Sequence, residues 1–65
     1  MSSITTKQKQ TLLDGWHWCD KEDKSTEFML QYLSDISGLD YDEVVDYICS
    51  EEADKDRENY LKNLE

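Results

Sequence analysis

The chain contains no proline and only two glycines, Gly15 and Gly38. With so little turn punctuation, a chain built on many tight turns is excluded and helices are favoured. Alternating apolar and polar residues never run beyond four positions, so no strand is expected. Two cysteines, Cys19 and Cys49, are too few for a disulfide scaffold and read as reduced thiols of a cytoplasmic protein. No apolar run is long enough to span a bilayer, and the opening stretch MSSITTKQKQTLL lacks the apolar core of a signal peptide. Bases are missing altogether between Ser25 and Asp54, a stretch that holds nine acids.

What is present fits one small helical domain over residues 1–65. A chain of 65 residues buries a modest share of its surface. Without disulfides it depends on good helix packing or on a partner. An enclosed substrate cavity would compete with the fold for the same few apolar residues. The net charge of −9 is unevenly spread. Residues 1–13 carry +2 from Lys7 and Lys9, and residues 14–65 carry −11. Such a field repels nucleic acid and anionic membranes and attracts basic surfaces.

Spacing predicts the helices. The first runs from about Thr5 to Trp18, with Thr5 and Gln8 as a capping box and Leu12, Leu13, Trp16 and Cys19 on its apolar face. Residues 1–4 are expected to fray, and the charged run DKEDK at 20–24 is a connector. The second helix lies between an N-cap at Ser25 and a stop at Gly38. Phe28, Met29, Tyr32, Leu33 and Ile36 form its core face. Glu27, Gln31, Ser34 and Asp35 form the outer one. The third starts at Asp40, with Glu43 completing a capping box. Its apolar face is Tyr41, Val44, Val45 and Ile48, and Asp42, Glu43, Asp46 and Ser50 lie opposite. The apolar residues of the tail (Ala53, Tyr60, Leu61 and Leu64) point more than a quarter turn away from that face. A kink at 49–52 follows, with Ser50 as a new cap. The expected fold is all-α: a compact three-helix bundle, helix–turn–helix-like over 25–49, plus a C-terminal helix.

The stretch DGWHWCDKED at 14–23 concentrates both tryptophans, the single histidine and a cysteine. Its spacing does not build a reactive centre. A structural zinc site needs four ligands, usually as close pairs. His17 and Cys19 point different ways on a helix, and no C-x-x-C exists. A thiol nucleophile would also need an orienting group and an oxyanion pocket. The run DKEDKSTEF lacks the glycine of a calcium loop. No metal, cofactor or enzymatic activity is therefore expected. In the helix–turn–helix position the second helix reads DYDEVVDYI, which would present acids to a polyanion, so direct nucleic-acid binding is not expected either.

Reversing the sign gives the leading expectation. Asp35, Asp42, Glu43, Asp46, Glu51, Glu52 and Asp54 form an acidic helical surface that could occupy a Lys/Arg-rich groove. The partner would be a basic protein such as a nucleic-acid-binding protein or nuclease, and the chain its inhibitor or regulator. In size and charge alone, the chain resembles the small acidic DNA-mimicking proteins of phages and mobile elements, anti-CRISPR-like inhibitors among them. The alternative is a helical adaptor that binds a peptide or protein through exposed Trp18, Tyr41 and Tyr47, with charge serving only solubility. Trp18 stands opposite Trp16 on the first helix and is either a core plug or a contact. The tail stripe of Ala53, Tyr60, Leu61 and Leu64 is a candidate seam for a homodimer.

Overall fold

The computed structural model describes residues 4–64. Four helices follow in order: α1 (Thr6–Lys21), α2 (Thr26–Ser37), α3 (Tyr41–Ile48) and α4 (Glu51–Leu64). Among the described residues there is no strand. The molecule is the expected all-α bundle, and each helix start has a local cause.

At α1 the capping box is formed: Gln8 N–H donates to Thr5 Oγ1 and Thr5 N–H to Gln8 Oε1. At α2, Phe28 N–H donates to Ser25 Oγ. Gly38 ends α2 in the left-handed conformation, φ 76°, where a side chain would be strained. Asp40 precedes α3 without a side-chain cap bond, so the capping box expected with Glu43 is not formed. The chain breaks at Cys49 and Ser50, and Ala53 N–H donates to Ser50 Oγ to start α4.

Three corrections to the sequence expectations follow. First, α1 continues through Trp18 to Lys21, so Asp20 and Lys21 belong to the helix and not to the connector. Its end is a Schellman motif. Lys24 N–H donates to Cys19 O and Asp23 N–H to Asp20 O, with Asp23 at φ 56° in the place glycine favours. Second, Ile4 packs against the core, and the expected fraying of 1–3 lies outside the described residues. Third, α3 is rotated: Val44 and Tyr47 are buried, and Tyr41 is exposed. Placing Tyr47 inward lets its ring cover the α3–α4 junction while its hydroxyl bonds Asp56.

The core joins Leu12 of α1, Leu33 of α2, Leu39 of the turn, Val44 and Tyr47 of α3 and Ala53 of α4. Leu12, Leu33 and Val44 are wholly buried, each worth about 1.5–3 kcal/mol relative to exposure. The most extensive helix pair is α1–α2, and α4 touches α1 least. The α1–α2 contact depends on Gly15. A Cβ there would stand 2.5 Å from Leu33 Cδ2 and 2.6 Å from Ile36 Cδ1. Glycine inside a helix costs about 1 kcal/mol against alanine, but here it permits the close approach.

Gly15→Ala should therefore destabilise the fold, because overpacking of about 1–3 kcal/mol outweighs the gain in helix propensity. Thermal unfolding followed by circular dichroism checks this. A variant as stable as the parent, or more so, would show that the contact relaxes without cost.

Candidate functional site

Two surface features stand out: a set of exposed acids on α2, α3 and the start of α4, and an aromatic patch across α1 and α2. The helices dictate where each of these acids points. Asp42 and Asp46 are one turn apart on the solvent side of α3, and Glu43 is half-buried. Asp35 is exposed on α2, and Glu51, Glu52 and Asp54 are exposed in the first turn of α4.

Local electrostatics divide these acids. Asp42 and Glu43 lie in the first turn of α3, and Glu51, Glu52 and Asp54 in that of α4. Negative charge there meets the positive end of the helix dipole and is favourable by about 0.3–1 kcal/mol each. Glu52 is further engaged by Lys9 and Asp54 by Arg57, the only ion pairs among the described residues. Those two acids are thus partly neutralised, and fewer of the acids are free of a base than the sequence implies. Asp35 and Asp46 are different. Each lies in the last turn of its helix, where no base is present and a negative charge is unfavourable. Both are exposed and neither is ion-paired among the described residues.

The aromatic patch answers the question of Trp18. Its ring is 41% exposed and packs on Tyr32 at 5.2 Å and Phe28 at 6.5 Å between centroids. Phe28 and Tyr32 stack at 6.1 Å. Phe28 and Ile36, expected in the core, are 45% and 40% exposed. Leu30, not assigned to the core from sequence, is half-buried against it instead. A spacing of four from Phe28 to Tyr32 to Ile36 was the available signal, but it marks a stripe and not which neighbour the stripe meets.

Other expected anchors are used inside the molecule. Tyr47 is only 4% exposed and donates to Asp56 Oδ2 at 2.7 Å, so it is unavailable to a partner. Burial, then the bond to Asp56, pushes its phenol far above the ordinary range. In the tail stripe, Ala53 is buried and Tyr60 donates to Asp14 Oδ1 at 2.6 Å. Of this stripe, Leu61 and Leu64 remain exposed, one turn apart on α4.

Within the 14–23 stretch, Trp16, His17 and Cys19 are likewise engaged inside the molecule. Arg57 lies over Trp16 at 5.7 Å, and His17 packs on Tyr60 at 5.7 Å. Cys19 is buried in the bundle, which pushes its thiol up, and Cys49 is an exposed free thiol. Among the described residues, no three His, Cys, Asp or Glu side chains converge as metal ligands. No described helix is long and apolar enough to cross a membrane. Compared with known protein families, with curated proteins and with solved structures, the chain matches none.

Burial of the Tyr47 phenol, and second its bond to Asp56, should make stability pH-dependent. A free tyrosine ionises near pH 10, and the native phenol resists ionisation. Its contribution is complete below about pH 10 and is lost as pH rises toward the native value. Tyr47→Phe should lower stability by about 1–2 kcal/mol at neutral pH and reduce the further loss on going to alkaline pH. Urea unfolding at pH 7 and above pH 10 measures both. An unchanged alkaline loss in the variant would assign it to other groups.

Proposed function

We propose that this protein is an acidic interaction module that binds and regulates a basic, nucleic-acid-handling protein. The observation that carries the proposal is the placement of Asp35 and Asp46. Both are exposed, outside the ion pairs of the described residues, and set where the helix dipole disfavours them. Charges that cost folding energy without local return point to a use outside the fold.

The other acids extend this surface. Asp42 and Asp46 on α3, with Glu51 at the start of α4, continue the line begun by Asp35 in sequence order. A partner that holds a polyanion in a Lys/Arg groove offers the complementary field, and long-range attraction would speed encounter and make it salt-sensitive. Cavity chemistry has little support. A groove of about 220 Å³ between α1 and α4 is open and includes Lys9, already paired with Glu52.

The test separates folding from binding. The protein is immobilised, binding proteins are captured from cell lysate, and duplex DNA is then added in excess. Captured protein should be released by DNA and by salt. Asp35→Lys with Asp46→Lys should keep or raise thermal stability, by about 0.3–1 kcal/mol per site, and should weaken capture at least about tenfold, the effect of 1.4 kcal/mol. Capture that survives both excess DNA and the double substitution would sink the proposal.

A further inference from the structure

The aromatic patch has a composition that names its occupant. Phe28, Tyr32 and Ile36 follow one another at successive turns of α2, and Trp18 of α1 closes one end. At Gly15 α1 presents no side chain, so Tyr32 and Ile36 lie against that helix's backbone. Trp18, Phe28 and Ile36 are each exposed to two-fifths or more. Immediately alongside runs a polar row, Glu27, Gln31 and Asp35, each one position before its apolar neighbour and each exposed. Neither acid is in an ion pair among the described residues.

One cation already rests on the patch. Lys24 Nζ lies 5.5 Å from the Trp18 centroid and 5.2 Å from that of Phe28. An ammonium in that position is held by the ring quadrupoles, a modest attraction at an exposed site. Lys24 belongs to the α1–α2 connector, and no hydrogen bond or ion pair among the described residues holds its side chain.

We propose that this face docks a basic amphipathic helix of a partner protein. Its apolar side chains cover Tyr32 and Ile36. One of its Lys or Arg residues takes the place of Lys24 on Trp18 and Phe28. Its other bases meet Glu27 and Asp35. The proposal rests on the partner being basic, as above, and adds the surface and the partner's form. Competing occupants fit less well. A second copy of this chain would bring another −9 and the same acidic row. An acidic peptide or an anionic membrane meets the same repulsion, and a neutral apolar helix leaves Glu27 and Asp35 unmatched.

The full chain would be titrated with two synthetic peptides of about 18 residues, long enough for several helical turns. One is a Leu/Lys amphipathic helix, and the other has every Leu replaced by Ser. Indole NMR signals report Trp18 and Trp16 separately, and circular dichroism confirms that each variant keeps its helices. The amphipathic peptide should bind and shift the Trp18 indole, leaving Trp16 in place. Phe28→Ser, at an exposed site, should weaken it at least about tenfold, as for loss of an interface anchor. Lys24→Gln should tighten it about threefold by vacating the rings. Lys21→Gln removes the same charge away from the rings and should do less.

Equal effects of the two lysine substitutions would overturn the proposal, as would unchanged binding by Phe28→Ser. Self-association that Phe28→Ser abolishes would also overturn it, by making a second copy the occupant. The serine peptide binding as tightly as the leucine one, with loss in Asp46→Lys, overturns the docking surface but leaves the acidic module standing. Binding lost in Phe28→Ser and kept in Asp46→Lys does the opposite: it supports the docking surface and removes α3 from the interface.

Discussion

The close approach of α1 and α2 at Gly15 is the constraint on which most of the molecule depends. With no Cβ at that position, Leu33 Cδ2 and Ile36 Cδ1 advance to 2.5 and 2.6 Å from where one would stand, inside van der Waals contact. Leu33 can then share one buried cluster with Leu12 and Val44. Tyr32 is drawn along the same flank, and Trp18, less than one turn beyond Gly15, comes to rest between Tyr32 and Phe28. A side chain at 15 would push the helices apart. It would loosen the core and open the aromatic patch at once, so the packing of both depends on one missing methyl group.

The attachment of α4 explains where the charge imbalance falls. This helix buries little beyond Ala53. It is held through polar and cation–π contacts: Lys9 to Glu52, Tyr47 to Asp56, Tyr60 to Asp14, and Arg57 over Trp16. Each exposed contact of this kind is weak alone, but together they fix the orientation of a helix that lacks a broad apolar face. They also consume Lys9 and Arg57. Those two bases thus serve the attachment of α4, and no base is present on α2 or α3 to offset Asp35 and Asp46.

Legibility in the sequence followed how local each determinant is. The caps at Thr5 and Ser25, the stop at Gly38 and the restart at Ser50 act within a few residues, and all are read from spacing alone. The end of α1 was hidden because Asp23 takes the left-handed position without the glycine that would announce it. The rotation of α3 was hidden for a different reason. Tyr41 and Tyr47 both border the Val44 face, and only a tertiary partner, Asp56, decides which goes inside. Phe28 and Ile36 look like core from period alone, and α1 leaves both partly uncovered. For the acids, sequence supplies the sign and number of charges. Helix ends and ion pairs are needed to separate those that serve folding from those that do not.

The two tryptophans show the same division at the scale of single side chains. Each has a cation over its ring. Over Trp16 it is Arg57, whose backbone belongs to α4 and whose guanidinium also engages Asp54. That guanidinium is therefore held twice, by the ring and by a carboxylate. Over Trp18 it is Lys24, on a connector and with no ion pair among the described residues. Replacing that cation requires only a rotation of one side chain. Two residues apart in sequence and on opposite sides of α1, the rings use the same interaction with different permanence. One closes the bundle, and the other carries its cation on an exposed ring of the α1–α2 face.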